Sequence, residues 1–572
     1  MGLVKLIIDG NEVQVPQGTT VLEAAQTMGI HIPRLCYDPD LSSVGACRLC
    51  IVEIEGMRNL PASCVTEARE GMVVRTNTPV VTEARKTVLE LLIANHPTDC
   101  LTCEKLGECV LAKYCYDYGV IKSPFTGEKH QYETEADNPF IVRDMNKCIL
   151  CGRCIRACAE ITGKNIIDFS YRGFNTRVAP FGDTPLSESE CIYCGNCVAF
   201  CPVGALSEKQ MLNQGRRWNL KKVKTTCTFC GTGCTFDLRV KDGKVIGVTS
   251  NPENAVNGRA LCIRGRFATR DFIHSDKRLT TPLIRRNGKL VPASWDEALD
   301  FAAARLQEIT NQYGPNSFAA ISSTRFTNEE IYLFQKFVRA VIGTNNIDHY
   351  PSPCHGAMYR EDAFCSGTVG EFTGIATLRC QNNLQGASDM GALSGSLPGY
   401  QRVEQKKIRT KFKEAWGASL PGEAGLTVSE MFEQANQGSV KAMYIMGENP
   451  VLSELNSEDI RSALSNLEFL VLHDLFPTET TEYADVVLPA ASFAETDGTF
   501  TNNKRRLQRV RKAIEPIPGK ANWETIAALS ARMGYPMDYP HPEQIFAEMA
   551  SLTPLFAHFN YKELDEMGME WP

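Results

Sequence analysis

Nineteen of the 23 cysteines in this 572-residue chain, joined by one histidine, form five groups of four within the first 262 residues. Cys36, Cys47, Cys50 and Cys64 are spaced C-x10-C-x2-C-x13-C, and His96, Cys100, Cys103 and Cys109 are spaced H-x3-C-x2-C-x5-C. Two C-x2-C-x2-C-x3-C runs follow, Cys148, Cys151, Cys154 and Cys158, then Cys191, Cys194, Cys197 and Cys201 with Pro202 behind it. Cys227, Cys230, Cys234 and Cys262 complete the series as C-x2-C-x3-C-x27-C. Thiolates at such spacings hold iron–sulfur clusters, and the chemistry those supply is one-electron transfer. Zinc sites seldom repeat the three-spacer run, and disulfide scaffolds are short and secreted. Imidazole in place of one thiolate leaves the second group less negative, which raises its potential relative to four-cysteine neighbours.

Local elements must bring these side chains together. KLIIDGNEVQV reads as a β-hairpin turning at Asp9-Gly10, followed by a helix around Val21 to Met28. Gly45 and Ala46 keep the first cysteine loop free of bulk, so backbone N–H groups can reach sulfur. A helix over 80–95 is expected to place Val80, Ala84, Val88, Leu91 and Leu92 on one face and to stop at His96-Pro97. Residues 122–139 read as a polar loop, and a hairpin turns at Asp242-Gly243 between Cys234 and Cys262. Further on, Ser294…Glu297 and Thr327…Glu330 are capping boxes, with Gly343 placed to end the second helix. Cys115, Cys365 and Cys380 lack ligand spacing and are expected to be buried free thiols.

Composition narrows the function. A formal charge of -7 and a pI near 5.9 give no basic excess, so nucleic acid is excluded as an expected partner. Mean hydropathy is -0.20, and no apolar run approaches the ~20 residues needed to cross a bilayer. The start MGLVKLIIDG reads as a strand, without a charged and then apolar leader. A cytoplasmic protein is expected. Neither G-x-G-x-x-G nor G-x4-G-K-[ST] occurs, so flavin and nicotinamide are expected on partner subunits.

The first cysteine group behind its hairpin resembles the [2Fe-2S] ferredoxin domain at the front of the large iron–sulfur subunit of complex I, of iron-only hydrogenases and of soluble formate dehydrogenases. HPTDCLTCEKLGEC resembles the histidine-ligated [4Fe-4S] motif of the same families. The doubled run resembles a two-cluster ferredoxin, in which the fourth cysteine crosses over. That resemblance implies one set of Cys148, Cys151, Cys154 and Cys201 and another of Cys191, Cys194, Cys197 and Cys158. CTFCGTGC with LCIRGR resembles the N-terminal [4Fe-4S] segment of molybdopterin oxidoreductases, and it makes Arg264 a candidate relay between cluster and pterin, where formate dehydrogenases typically have lysine. PSPCHGAMY matches the molybdenum-ligand position of formate dehydrogenases with Cys354 and His355. Directly after Phe364, however, the sequence resembles a segment that lies much further along the full-length enzymes. An internal lobe and the last β-rich, pterin-closing domain are therefore expected to be missing, leaving Cys354-His355 a relic or a packed pair. Arg505 and Arg506, pterin-contact candidates by resemblance, are then expected in salt bridges or an interface.

The expected fold class is α+β / α/β multidomain. It comprises a β-grasp [2Fe-2S] ferredoxin domain (1–78), a histidine-ligated [4Fe-4S] domain (79–120), a two-[4Fe-4S] ferredoxin-like domain (138–212) and a [4Fe-4S] segment (220–275). A truncated molybdopterin-oxidoreductase-like domain (276–535) and a tail (536–572) complete it. The cofactors expected are one [2Fe-2S] and four [4Fe-4S] clusters, without molybdopterin. The expected function is an iron–sulfur wire in a soluble multi-subunit NAD(P)H oxidoreductase, and above all in an electron-bifurcating NAD(P)H/ferredoxin transhydrogenase. Its expected partners are flavin- and NAD(P)-binding subunits and ferredoxin. The alternatives are a molybdenum or tungsten formate dehydrogenase catalytic subunit, or the large iron–sulfur subunit of a respiratory NADH dehydrogenase.

Overall fold

The computed structural model describes residues 2–349, 381–453, 456–565 and 568–571. Its contacts divide the chain into two compact units, Met1–Lys221 with Ile246–Glu253 and Asn257–Ala268, and Lys222–Val245 with Asn254–Val256 and Thr269–Pro572. Cys354, His355, Cys365, Cys380 and the junction at Phe364 lie outside the described residues.

In the first unit, β1 (Leu3–Ile8) pairs antiparallel with β2 (Asn11–Pro16) across Asp9 and Gly10, both at positive φ, 49° and 84°. The Asp9 carboxylate accepts bonds from the Thr76 N–H at 2.7 Å and from its hydroxyl at 2.5 Å, tying the turn to the end of a distant strand. That strand, β4 (Met72–Arg75), runs parallel to β1 and antiparallel to β3 (Glu53–Ile54), giving the order β2-β1-β4-β3. Helix α1 (Val21–Thr27) starts in a full capping box between Thr20 and Glu23 and buries Val21, Leu22, Ala24 and Ala25 in the core with Leu6 and Ile8. The expected grasp of sheet on helix is present.

Helix α2 (Pro79–Asn95) ends at His96 as expected, but its buried stripe is Val81, Arg85 and Leu89. Val80 and Leu91 are exposed. The reason is Arg85, whose guanidinium donates to the Ile51 carbonyl at 2.8 Å and to the Tyr118 hydroxyl at 3.2 Å. A hydropathy pattern cannot place an arginine on the inner face, so it rotates the helix by one position.

Helix α3 (Val110–Asp117) follows. Two short sheets then frame the doubled cysteine run, β5 (Ile141–Arg143) with β8 (Leu206–Glu208), and β6 (Ile167–Ser170) with β7 (Arg177–Pro180). Two one-turn helices, α4 (Arg153–Arg156) and α5 (Asn196–Phe200), begin inside the two cysteine loops.

Among the described residues the second unit is built on a seven-stranded sheet. In chain order its strands are β9 (Leu283–Arg286), β10 (Lys289–Pro292), β11 (Phe318–Ser322), β12 (Ile347–His349), β13 (Ala442–Met446), β14 (Phe469–Asp474) and β15 (Val486–Pro489). The spatial order is β10-β9-β15-β14-β13-β11-β12; the last five are mutually parallel and the β9–β10 hairpin joins antiparallel. FAAIS, AMYIM and VVLP are buried throughout, the continuous apolar runs of parallel strands covered on both faces. Thr327 and Glu330 form both halves of their capping box, whereas Ser294 caps the Glu297 N–H alone because the Glu297 carboxylate pairs with Arg286. Gly343 ends its helix at φ 90°.

The segment 536–572 is not a tail. Its helix Pro542–Leu552 buries Ile545, Phe546 and Met549 in the core, and Glu548 accepts bonds from Lys336 and Tyr332, both at 2.7 Å. These contacts come from across the unit, so local composition could not announce them.

One buried ion pair ties this unit together. Arg278 donates to both Glu495 oxygens at 3.1 and 2.9 Å, and neither side chain is more than 1% exposed. Arg278→Ala strands a buried carboxylate and is expected to lower unfolding free energy by about 3–5 kcal/mol. Lys512→Ala, from the exposed Glu515 pair, is expected to cost less than about 1 kcal/mol. Chemical denaturation followed by tryptophan fluorescence separates the two.

Candidate functional site

The first thiol set closes into one knot. Cys36, Cys47, Cys50 and Cys64 are all buried; the Cys36 thiol meets those of Cys47 and Cys64, and Cys64 also meets Cys50. Hydrogen bonds from neighbouring thiols pull Cys36 and Cys50 well below the ordinary thiol range and push Cys47 and Cys64 up. Leu35 donates its N–H to the Cys47 sulfur at 3.4 Å, and the Ser63 hydroxyl holds the Cys50 carbonyl at 2.7 Å.

His96 stands just past the last turn of α2, with its buried Nδ1 lacking any hydrogen-bond partner. Burial holds its pKa down, favouring the neutral imidazole that can ligate a metal. Cys109 caps α3, its sulfur accepting the Ala112 N–H at 3.4 Å. Cys103 lies against Gly204, where a Cβ would come within 2.5 Å of its sulfur, and Cys100 is exposed. Cys115 is half-buried rather than buried, pushed up to about 11 by burial, and it feels both Cys109 and Cys100. A fourth thiol at this site is not evident from spacing, because α3 brings it back by one and a half turns.

The doubled run folds as two copies of one loop. Leu150 and Gly152 have φ of 51° and 66°; Tyr193 and Gly195, at the same places in the second copy, have 54° and 72°. Each loop turns an N–H onto its first sulfur, Leu150 to Cys148 and Tyr193 to Cys191, both at 3.4 Å. Cys148, Cys151, Cys154 and Cys201 line a single cavity, the crossed set that the two-cluster resemblance implies. Cys191 and Cys197 are each within electrostatic reach of Cys194 and Cys158, and burial pushes both thiols up. Ile166 donates its N–H to the Cys158 sulfur at 3.4 Å.

Buried arginines join these loops. Arg156 donates to the Cys36 carbonyl at 2.7 Å and the Cys151 carbonyl at 3.2 Å, so one guanidinium bridges the first set and the first copy. Arg153 pairs with Asp38, which Arg259 approaches at 3.4 Å. Arg266, 2% exposed, donates to the Cys194 carbonyl at 3.1 Å and pairs with Glu208 at 3.4 Å. Burial raises the Glu208 carboxyl and Arg266 opposes that rise. Spacing singles out Arg264, which is exposed; the engaged arginine is two residues further on. No local signal separates them, since Arg266 is defined by partners from Cys194 to Glu208.

Of the fifth set, Cys227, Cys230 and Cys234 fall in the second unit and Cys262, exposed, in the first. The Cys227 N–H donates to the Cys234 carbonyl at 2.8 Å. Asn502 and Gln508 hold the carbonyls of Thr232 and Gly233 at 3.2 and 2.8 Å, so the segment containing Arg505 and Arg506 clamps this thiol loop. Arg506 itself pairs with Glu570 at 2.7 Å, and Arg505 lies over the Trp571 ring.

The second unit also contains a cavity of about 390 Å³, lined by Phe229, Phe272, Phe493 and Phe500. Its described charged residues are Arg325 against Glu330, Glu448 and Asp474. Burial pushes Glu448 up to about 7 and Asp474 up to about 6. Among the described residues no helix is long and apolar enough to cross a membrane, and no three His, Cys, Asp or Glu groups converge on a single-ion site.

Known families match along almost the whole length. Residues 2–79 match the 2Fe-2S iron-sulfur cluster binding domain, 85–124 the NADH-ubiquinone oxidoreductase-G iron-sulfur binding region, and 138–207 the ferredoxin-like domain of NADH-quinone oxidoreductase subunit 3. Residues 220–274 match the molybdopterin oxidoreductase Fe4S4 domain, and 278–372 and 364–532 match molybdopterin oxidoreductase in two pieces that meet at the expected junction. The chain is 31% identical to the NADH-quinone oxidoreductase "G 2" subunit of Rhizobium meliloti, covering 99% of this chain and 84% of that one. That alignment runs over 720 positions against 572 residues here, so at least 148 positions of the relative have no counterpart. A Staphylococcus aureus protein named "Putative formate dehydrogenase SAS2201" is 28% identical over 99% of this chain and 78% of its own length. A chain of the NAD+-reducing [NiFe]-hydrogenase in the H2-reduced state is 34% identical, covering 37% of this chain and 90% of its own, with a TM-score of 0.33.

His96→Cys offers a fourth thiolate in place of an imidazole. Iron content is expected to be unchanged and one four-iron signal to move to lower potential. A redox titration followed by electron paramagnetic resonance reads both; an unmoved signal removes His96 from the ligand set.

Proposed function

From a chain that belongs to the family of G-type NADH-quinone oxidoreductase subunits, we propose an electron-transfer subunit of an NAD(P)H-linked multi-subunit oxidoreductase. The observation that carries this reading is the crossed cavity of Cys148, Cys151, Cys154 and Cys201, which a set of unrelated buried thiols has no reason to form. In this reading Cys36, Cys47, Cys50 and Cys64 hold a [2Fe-2S] cluster. Four [4Fe-4S] clusters are held by His96 with Cys100, Cys103 and Cys109, by Cys148, Cys151, Cys154 and Cys201, by Cys158, Cys191, Cys194 and Cys197, and by Cys227, Cys230, Cys234 and Cys262. The clusters supply single-electron transfer. The chain's own residues position them: backbone N–H groups of Leu35, Leu150, Ile166 and Tyr193 stabilise the sulfurs, and the apolar walls around Cys148 exclude water.

The two-electron chemistry belongs to flavin- and NAD(P)-binding partner subunits, and the finer reading is a cytoplasmic electron-bifurcating NAD(P)H/ferredoxin transhydrogenase. Its support is a chain rich in electron-transfer sites that lacks at least 148 positions of its relative and whose molybdopterin oxidoreductase match is split into two pieces.

Metal analysis of the purified protein tests this. About eighteen iron atoms per chain, from one two-iron and four four-iron clusters, are expected, without molybdenum or tungsten. Stoichiometric molybdenum or tungsten with pterin would overturn the wire in favour of a formate dehydrogenase. Reduction of ferredoxin by one reduced pyridine nucleotide only while the other nucleotide, supplied oxidised, is reduced alongside it distinguishes bifurcation from simple transfer.

A further inference from the structure

The two copies of the cysteine loop share a backbone but have different neighbours. Over Gly152 in the first copy lies the ring of Phe169, 3.5 Å from where a Cβ would be. Over Gly195 in the second lies Arg266: a Cβ there would land on its side chain and, at 2.8 Å, on Phe267. The left-handed φ of 72° and this close approach both require glycine. Arg266 is fixed on every side. Its Nε donates to the Cys194 carbonyl at 3.1 Å, one Nη to Glu208 at 3.4 Å, and the other to the Asn196 side-chain oxygen at 3.4 Å and the Arg259 carbonyl at 3.2 Å.

The network continues to sulfur. Asn196, oriented by Arg266 and by the Leu261 N–H at 3.0 Å, donates its amide to the Thr162 hydroxyl at 3.2 Å. That hydroxyl stands 3.6 Å from the Cys194 sulfur and 3.2 Å from the Ala157 carbonyl, so its one proton is shared between these two acceptors. Thr162 is four residues after Cys158. The residue four after Cys201, in the other copy, is Ala205, which lines the cavity with a methyl group. Each copy thus has a buried arginine on its second cysteine's carbonyl, Arg156 on Cys151 at 3.2 Å and Arg266 on Cys194 at 3.1 Å, and the second copy adds an amide and a hydroxyl beside sulfur where the first has the Ala205 methyl group.

We propose that Arg266 is a positioning residue that, through the Cys194 carbonyl and the Asn196–Thr162 contacts, raises the reduction potential of the cluster of Cys158, Cys191, Cys194 and Cys197. The inference rests on the iron–sulfur reading of these thiols. Reduction adds one negative charge to a cluster, and a nearby cation and hydrogen bonds to its sulfurs stabilise that state.

The test is a redox titration of the full chain followed by electron paramagnetic resonance, with iron content measured in parallel. Cys194→Ser, which alters the line shape of its own cluster, assigns the signal. Arg266→Met is expected to shift that signal's reduction equilibrium at least ten-fold toward the oxidised form, about 59 mV for one electron. Arg266→Lys is expected to shift it less, and Thr162→Val in the same direction. Iron retained with every midpoint unmoved in Arg266→Met and Thr162→Val overturns the inference, as does a shift confined to another signal. If Arg266→Met sheds iron, Thr162→Val, which removes one hydroxyl, decides alone. Wild-type protein without iron or four-iron signals overturns the functional reading itself; clusters present with fixed midpoints overturn only this inference.

Discussion

Negative charge is the constraint around which the first unit is organised. A four-thiolate cluster with a 2+ core has a net charge of roughly -2, and several such groups share a unit of little more than two hundred residues. Burying uncompensated charge is too costly for a marginally stable fold. The unit answers with buried arginines. Arg85, Arg143, Arg153, Arg156 and Arg266 are each at most 7% exposed, and Arg85, Arg156 and Arg266 donate to backbone carbonyls at or beside cysteine positions. The expected burial pattern fails at Arg85 for the same reason that the fold succeeds there. A cation on the inner face costs hydrophobic area but holds the Ile51 carbonyl next to Cys50.

The second unit solves a different problem. Its parallel sheet has apolar strands covered on both faces. Around Arg505 and Arg506, the pterin-contact candidates by resemblance, Asn502 and Gln508 clamp the loop of Cys230 and Cys234. The C-terminal helix with Ile545 and Phe546 then completes the core.

What could be read from sequence follows from what is local. The Asp9-Gly10 turn, the Thr327 capping box and each C-x2-C-x2-C-x3-C loop are decided within a dozen residues, and each reappears in the structure. The grouping of Cys201 with Cys148 in one cavity was legible through the resemblance of the doubled run to a two-cluster ferredoxin. Arg266 was not, because its meaning depends on Cys194 and Glu208, some 60 to 70 residues away. Nor was the packing of 536–572, whose partners Lys336 and Tyr332 lie more than 200 positions upstream.

The Arg156 bridge has a consequence for speed. Electron tunnelling weakens steeply with the gap between centres, so a wire works at the rate of its widest moment. A single planar group bonded at once to the carbonyls of Cys36 and Cys151 leaves the two loops no independent sliding motion. In the proposed wire that gap stays constant while partners dock and leave, and turnover would be governed by their arrival rather than by breathing of the conductor.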